Sequence, residues 1–292
     1  QHGVPTTVSA KISTPEELQA FAAAHPLPLV IKPSDCSGQR GTTKIEDASQ
    51  LFPALADALH FSTDGMAIVE TFAEGPEINI TAVINRGEIT FLSFSERVTA
   101  APPHFGIAIE HAAPLAISDA ALDALREAAT GSIRAIGLND GIAYPQVILS
   151  PHGPRVLEIA ARIPGGFMRE VALALSGIDL IEVAILQALG DRFELHDLQG
   201  AAHPAVNVKF ITELDTTAAG TTVAAIAGLD EARQQAGVSK VYMGLQAGQK
   251  IPPLNSSAAR FGAVIASGDS RQQAQTRARQ AAEKIRFTYA QA

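Results

Sequence analysis

The sequence predicts an α+β fold, in which strands and helices mix without the regular rhythm of βαβ units. Capped helical segments and apolar strands follow one another at irregular spacing. Asn85-Arg86-Gly87 separates two alternating segments, which is typical of a β-hairpin. From residue 201 onward the sequence pattern predicts short strands and small helices. The 292 residues, 47% of them hydrophobic, suffice for a sizeable core in one or two domains.

The first elements are predicted from caps and apolar runs. Thr14-Pro15-Glu16-Glu17 is a capping box with proline at the first helical position, so a short helix should follow. The apolar run that ends at Lys32 predicts a buried strand, and Asp47 can cap the next helix. The predicted segments are a helix over 15–24, a strand ending at 32, a helix over 47–60 and a strand over 66–70.

The remaining elements follow from alternation and turn signals. The segment 99–114 is rich in Pro and Ala and lacks periodicity, so it is interpreted as a functional or mobile loop. Predicted strands cover 77–85, 88–95, 142–150, 154–159, 206–213, 221–226, 238–245 and 262–267, and predicted helices cover 118–136, 166–175, 179–189 and 270–287.

Composition excludes several classes of function. The net charge is −8 without basic runs, which argues against nucleic acid as a partner. The single cysteine, Cys36, rules out an intrachain disulfide framework and favours a reducing, cytoplasmic setting. No apolar run approaches the length of a membrane span, so no membrane partner is expected.

The run Glu158-Ile159-Ala160-Ala161-Arg162-Ile163-Pro164-Gly165-Gly166 carries the strongest chemical signal. A carboxylate at the end of an apolar strand stands four residues before a guanidinium, and a Pro-Gly-Gly turn follows. An acid for a hard cation beside a planar cation for oxyanions suggests a Mg²⁺–polyphosphate site. The alternative is an ordinary ion pair at a strand end.

A second phosphate-type signal follows the first long strand. After Lys32 comes the small-residue segment Ser34 to Thr43, with two glycines and several hydroxyls. Small residues let backbone N–H groups approach phosphate oxygens, and Lys32 would add a point charge. No Gly-Lys-Ser/Thr closes the loop, so it is not a Walker-type P-loop. Taken alone, a segment of this kind is a weak signal and is more often a simple turn.

Four features occur in a fixed order: the strand lysine with its loop, the run Val69 to Glu77, the hairpin that ends in Glu158, and the Arg162 turn. On these residues the sequence resembles the ATP-grasp superfamily. The run 159–162 and the C-terminal third look most like its carboxylate–amine ligases, especially the L-amino-acid (dipeptide) ligase branch. The resemblance implies two α+β lobes enclosing a nucleotide, with a β-rich C-terminal subdomain.

The resemblance also implies cofactors and site residues. ATP and Mg²⁺ are the implied cofactors. Glu158 would hold Mg²⁺, and Arg162 would stabilise the transferred phosphoryl group or the acyl phosphate, so both are implied catalytic residues. The implied nucleotide contacts are Lys32 at the phosphates, Ser37, Gly38, Gln39, Arg40 and Gly41 in the lid, Glu70 and Ala73 at the adenine, and Glu77 at the ribose.

One implied metal ligand departs from the family pattern. The family has an acidic ligand on each strand of the hairpin, and by register the first falls on Gln146. A glutamine can coordinate through its carbonyl oxygen but brings no charge, so Mg²⁺ should bind more weakly. Three explanations of the glutamine are open. A single metal ion suffices for the reaction, another carboxylate takes the place of the missing one, or the metal site is degraded. The presence of Lys32, Glu158 and Arg162 favours a working site.

The implied substrate residues lie near the cleft. Arg97 would pair with a substrate carboxylate, Glu110 with an ammonium group, and His111 would orient the acyl group. Gly166 stands where some family members carry a bulky residue, which suggests a larger pocket for the incoming amine. Alternatively, the three charged or polar residues are solvated loop residues.

The resemblance implies an ATP-dependent ligase that joins a carboxylate, that of an amino acid, to an amine through an acyl phosphate, releasing ADP and phosphate. The alternatives are a ligase of nucleotide or cofactor biosynthesis, or a nucleotide-binding regulatory module without catalysis. The expected lobes are 1–75, 76–200 and 201–292. The family's preceding α/β domain is expected to lie before Gln1, and the family leaves a homodimer open.

Overall fold

The computed structural model describes residues 2–191, 193–217 and 219–290. Its strands form a four-stranded sheet, an eight-stranded sheet and a two-stranded ladder. Neighbouring strands in all three are antiparallel. The predicted α+β fold is therefore confirmed.

The four-stranded sheet and two helices form an N-terminal lobe. Helix α1 starts where predicted, because the Thr14 hydroxyl accepts from the Glu17 N–H and the Glu17 carboxylate accepts from the Thr14 N–H. Both helices cover one face of the sheet, where Leu18 and Leu29 are fully buried. The elements are β1 (Ser9–Ile12), α1 (Pro15–Ala24), β2 (Leu29–Pro33), β3 (Thr43–Ile45), α2 (Leu51–Phe61) and β4 (Ala67–Thr71), and the strand order is β1-β4-β2-β3.

The central part of the chain forms the first half of the eight-stranded sheet and its helices. The tight turn at Arg86 and Gly87, both with positive φ, joins the first two strands as the hairpin signal predicted. The elements are β5 (Glu77–Asn85), β6 (Glu88–Thr99), β7 (Ala108–Ala113), α3 (Asp119–Ala135), β8 (Gly141–Ser150), β9 (Gly153–Ala160), α4 (Met168–Ser176) and α5 (Leu180–Leu189).

The C-terminal part continues the same sheet. Three of its strands extend the sheet in the order β12-β13-β10-β7-β6-β5-β8-β9, so the predicted boundary at residue 200 falls within a continuous sheet. The elements are β10 (Ala205–Ile211), β11 (Val223–Ala227), α6 (Leu229–Arg233), β12 (Val238–Met243), β13 (Gly262–Gly268), α7 (Arg271–Ala282) and β14 (Arg286–Tyr289). Strands β11 and β14 pair separately.

The prediction of a loop over 99–114 is wrong for its second half. Strand β7 lies there, between β6 and β10 in the middle of the sheet. Five of its six residues are buried, because helices or neighbouring segments cover both faces. The strand carries a buried carboxylate, Glu110, and a buried imidazole, His111, so it shows neither a continuous apolar run nor a polar–apolar alternation.

The final predicted helix, 270–287, is too long. Helix α7 ends at Ala282, and the chain re-enters a strand in which Phe287 and Tyr289 pack on the C-terminal core cluster. Alternating aromatic residues favour a strand there. In the part of the chain described, no single helix is long and apolar enough to cross a membrane; α4 and α5 meet the criterion only as a pair bent by 95°.

Candidate active site

A cavity of about 1880 Å³ opens between the four-stranded and the eight-stranded sheet. Residues from both sheets, from the segment after β6 and from the segment before β13 line it. Most of the residues singled out from the sequence meet at this cavity. They are Lys32, Ser37, Gly38, Gln39, Glu70, Ala73, Glu77, Arg97, His111, Gln146, Glu158, Arg162 and Gly166.

Lys32 on β2 and Glu70 on β4 form an ion pair at the cavity wall. Nζ of Lys32 lies 2.7 Å from Oε1 of Glu70, and Thr7 donates its hydroxyl proton to Oε2 over 2.8 Å. Ile31 faces the helices, so alternation along β2 turns Lys32 to the cavity. Because an ammonium group has three protons, two remain for phosphate oxygens. Glu70 thus fixes the lysine without exhausting its donors.

The loop between β2 and β3 reaches across the cavity. Gly38 and Gln39 adopt positive φ, and the N–H of Ser257 donates to the Gly38 carbonyl over 2.8 Å. Arg40 and Gly41, predicted with this loop, do not line the cavity. Arg40 is exposed and donates to the Ser37 carbonyl.

Gly41 has a packing role that explains its position. It has positive φ, and a Cβ there would lie 3.0 Å from a ring carbon of Phe61 and 3.2 Å from the Ala58 backbone. The glycine lets the loop rest closely on α2. Gly41 therefore serves the packing of the loop on α2 and does not line the cavity.

Glu77 and Arg97 face each other across β5 and β6. Oε1 of Glu77 lies 3.1 Å from Nε of Arg97, which also donates from Nη2 to the Gly106 carbonyl over 2.8 Å. Burial raises the pKa of the Glu77 carboxyl; the Arg97 charge opposes this rise and the Glu158 charge adds to it. Arg97, predicted to meet a substrate carboxylate, is therefore already balanced by Glu77.

Gln146 and Glu158 are direct neighbours on β8 and β9. The register shifts by one residue just beyond this pair, so a β-bulge on β9 adjoins the cavity. Glu158 is exposed to the cavity and forms no ion pair among the described residues. Within the same ranges, no group of three or more His, Cys, Asp or Glu side chains is placed to hold a metal ion.

This donor set fits Mg²⁺ only in the company of phosphate. Mg²⁺ accepts one or two carboxylates together with substrate phosphates and water, and does not need a cage made wholly of protein. Gln146 directs its amide protons to Asn79 and Tyr144, over 3.4 and 3.2 Å. Its carbonyl oxygen is therefore the atom left for a cation beside Glu158.

Arg162 begins the turn that follows β9. The side chain is exposed, lines the cavity and donates from Nη1 to the Ile163 carbonyl over 3.2 Å. No carboxylate among the described residues pairs with it. The guanidinium thus keeps most of its donors for an anion in the cavity.

Glu110 is the substrate residue that the structure does not bring to the cavity. It binds Arg279 of α7 through both oxygens, over 2.7 and 2.9 Å, on the opposite side of the sheet. Successive residues of a strand face opposite sides, so Glu110 and His111 cannot both face the cavity. The prediction that Glu110 holds an ammonium group is corrected to a structural ion pair.

His111 belongs to a buried polar network that sequence reasoning missed. Tyr144 donates to Oδ1 of Asn79 over 2.6 Å, and Nδ2 of Asn79 lies 3.0 Å from Nδ1 of His111. Burial raises the pKa of the Tyr144 phenol to about 12, so it remains a donor. Because the asparagine oxygen accepts from Tyr144, its amide donates to Nδ1, and the imidazole proton resides on Nε2.

The network makes stability sensitive to acid. Burial, with the charges of Arg97 and Arg260, lowers the pKa of His111 well below its ordinary value. The unfolded chain binds a proton below about pH 6.5 and the folded chain does not, so stability falls as the pH falls through that window. Below about pH 6.5, we expect the free energy of unfolding to fall more steeply for wild type than for His111→Asn. The difference in slope should reach up to about 1.4 kcal/mol per pH unit.

Urea unfolding of both proteins at several pH values between about 7 and 5 measures this difference. The contribution of the carboxylates to the pH dependence is common to both proteins and cancels in the comparison. Equal acid sensitivity of wild type and variant would contradict the assignment of a neutral His111.

Two family models match the chain. Residues 1–196 match the ATP binding domain of the carbamoyl-phosphate synthase L chain, and residues 216–290 match the L-amino acid ligase C-terminal domain 2. The first match covers more than half of the chain and includes every cavity residue predicted from the sequence.

Individual proteins are also similar to this chain. An uncharacterized protein of Sinorhizobium fredii is 28% identical over 287 residues, 97% of this chain and 58% of that protein. Carnosine synthase 1 of Gallus gallus is 30% identical over 186 residues, 58% of this chain and 19% of the synthase. The crystal structure of L-amino acid ligase from Bacillus licheniformis superposes with a TM-score of 0.82 at 22% identity, covering 100% of this chain and 70% of the ligase. The chain thus spans only part of the length of these relatives.

Proposed function

The chain belongs to the ATP-grasp family, and from that premise we propose that it is an ATP-dependent carboxylate–amine ligase acting on amino acids. One observation supports the proposal most strongly. Lys32, Glu77 and Glu158 come from two sheets and Arg162 from the turn after β9, and all four converge on one cavity in which cationic and acidic groups are interspersed. Such a cavity suits a polyphosphate with its counter-cation.

The proposed reaction has two steps. A carboxylate oxygen of the first substrate attacks the γ-phosphorus of ATP, the bond from phosphorus to the ADP oxygen breaks, and an acyl phosphate results. The amine nitrogen of the second substrate then attacks the acyl carbon, phosphate leaves with the electrons of the C–O bond, and the nitrogen loses a proton. The activation is required because a free carboxylate is too poor an electrophile for an amine.

The protein's part is positioning and charge neutralisation. Lys32 holds phosphate oxygens from the N-terminal lobe, and the loop around Gly38 covers them. Arg162 offers its guanidinium to the oxygens of the phosphoryl group while it moves. Glu158 and the carbonyl oxygen of Gln146 would hold Mg²⁺, which supplies Lewis-acid stabilisation of phosphate charge when bound.

Gln146→Glu tests the metal half of this assignment. A second carboxylate beside Glu158 is expected to tighten nucleotide-dependent Mg²⁺ binding about tenfold, because it adds charge to the ligand set. Without metal, the loss of the amide donors to Asn79 and Tyr144 should cost about 1–3 kcal/mol of stability. Calorimetric titration of Mg²⁺ with ADP present, and urea unfolding in EDTA, measure the two effects. Unchanged Mg²⁺ affinity would place the metal elsewhere.

The experiment for the function itself is phosphate release from Mg-ATP, screened against amino acids singly and in pairs. Release that requires a pair, with a product mass equal to their sum less water, supports the ligase and names both substrates. A non-catalytic nucleotide-binding module predicts ATP binding without release for any pair. A ligase for other metabolites predicts release with one amino acid and a different amine, such as an amino sugar phosphate.

A further inference from the structure

Arg260 is a cavity residue that no sequence signal pointed to. It stands in the segment before β13, and its guanidinium carbon lies 4.1 Å from the ring centroid of Phe210 on β10. Nε donates to the Ser257 carbonyl over 2.9 Å. Stacking on the ring and this bond fix the plane of the guanidinium, whose terminal nitrogens Nη2 and Nη1 would lie 3.7 and 4.0 Å from a Cβ on Gly166.

The charge of Arg260 is not balanced by the protein. No carboxylate among the described residues lies within ion-pairing distance, and Nη1 is buried without a hydrogen-bond partner in the same ranges. The nearby Arg97, by contrast, is paired with Glu77. Burial, followed by the Arg97 charge, lowers the pKa of Arg260 to about 10, so it is still cationic at neutral pH. An unpaired cation in a partly buried place is costly unless an anion comes to it.

Two further features define a gap beside Arg260. A Cβ on Gly166 would lie 3.4 Å from Nε2 of His111 and 3.7 Å from Nη2 of Arg260. The imidazole of His111 also packs edge-on against Phe210, with 5.1 Å between ring centroids. The Nε2 proton of His111 and the terminal donors of Arg260 therefore border the same space, which the missing side chain of Gly166 keeps open.

We propose that Arg260, with the Nε2–H of His111, binds a non-reacting carboxylate of a substrate and thereby sets the specificity of the ligase for acidic groups. A planar guanidinium edge matches a carboxylate in a two-point contact, and a neutral N–H adds a third donor without adding charge. The carboxylate can come from two sources: the α-carboxylate of the amine substrate, or the side-chain carboxylate of a dicarboxylic acyl substrate. The inference rests on the proposed ligase function for its meaning, although the binding site can be tested without turnover.

The first experiment is calorimetric titration of the protein saturated with ADP and Mg²⁺. The probes are two matched pairs, L-alanine with L-alaninamide and L-aspartate with L-asparagine. Wild type should bind the acid of one pair about 10- to 100-fold more tightly than its amide, the usual range for a charge-assisted hydrogen bond. A preference in the first pair identifies an α-carboxylate, and one in the second pair identifies a side-chain carboxylate.

Arg260→Gln should reduce that preference to less than about threefold while the affinity for ADP stays within about twofold of wild type. Arg260→Lys, which keeps the charge but loses the fork, should retain part of the preference. Arg233→Gln is the matched control, because Arg233 pairs with Asp230 on the exposed surface of α6. Equal binding of acids and amides by wild type, or an undiminished preference in Arg260→Gln, overturns the proposal.

Steady-state kinetics separate this role from one at the reacting carboxylate. Arg260→Gln should raise KM for the carboxylate-bearing substrate about 10- to 100-fold and change kcat less than about threefold. A large loss of kcat with KM unchanged would assign Arg260 to the chemical step instead and overturn the proposal. If no pair supports phosphate release, the ligase function fails, whereas the acid-over-amide titrations still decide the role of Arg260.

Discussion

Alanine in place of Arg162 is expected to lower ligation about 100- to 1000-fold while leaving ATP affinity within about tenfold of wild type. Arg162 carries no ion pair in the described structure and faces the cavity with most of its donors free. The guanidinium can therefore stabilise the charge that develops during phosphoryl and acyl transfer. Its loss should lower kcat more than it weakens substrate binding. Single-turnover phosphate release measures the loss.

Two variants sharpen this prediction. Arg162→Lys keeps a charge without the planar fork and should recover only part of the rate. Arg233→Ala removes an arginine from an exposed helical pair and should leave the rate unchanged. Thermal unfolding of Arg162→Ala should match wild type, because the side chain is exposed and bonded only to a neighbouring carbonyl. A rate within a few-fold of wild type would remove Arg162 from the chemical step.

Glu158→Gln is expected to lower turnover by about 100-fold or more, through weakened metal binding. The position already has an uncharged neighbour in Gln146, so this substitution removes the charge that the paired strands offer a cation. Two amide oxygens without a carboxylate are poor Mg²⁺ ligands. The rate measured against Mg²⁺ concentration should show a higher half-saturation and a lower plateau.

The matched control is Glu127→Gln, on the exposed side of α3. It should reproduce wild-type dependence on Mg²⁺. Because Glu158 is exposed to the cavity, its substitution should leave the free energy of unfolding in EDTA nearly unchanged. Wild-type turnover and Mg²⁺ dependence in Glu158→Gln would show that this carboxylate is not a metal ligand.

The sequence predicted the site where local signals sufficed. Lys32 ends an apolar strand and Glu158 ends another, so alternation and strand length place each at a sheet end without tertiary information. The order of motifs then identified the family, and the family placed these residues around one nucleotide. The structure brings these residues to one cavity.

Prediction failed where a segment's neighbours decide its structure. The sequence predicts a loop where β7 lies because buried Glu110 and His111 interrupt its apolar pattern, and this error allowed both residues to be assigned to one pocket. Because successive side chains of a strand point to opposite faces of the sheet, Glu110 on β7 lies on the face of Arg279, opposite to His111. The wrong secondary structure predicted for β7 therefore caused the wrong assignment of Glu110.

Local sequence patterns could not predict the contacts between segments that are distant along the chain. Arg260 meets Phe210 and the gap at Gly166, although about a hundred residues separate the arginine from that glycine along the chain. Asn79 and Tyr144 join His111 through hydrogen bonds between strands that lie far apart along the chain. Such networks depend on the order of strands in the sheet, which the sequence did not specify.

In the proposed reaction, phosphorylation activates a carboxylate before an amine attacks it. Ligation with a substrate labelled with ¹⁸O at both carboxylate oxygens tests this order of steps, because the acyl C–O bond must break when phosphate leaves. We expect one ¹⁸O atom in the released inorganic phosphate for each amide formed, with ADP as the nucleotide product. Phosphate without label, or AMP and pyrophosphate as products, would contradict it.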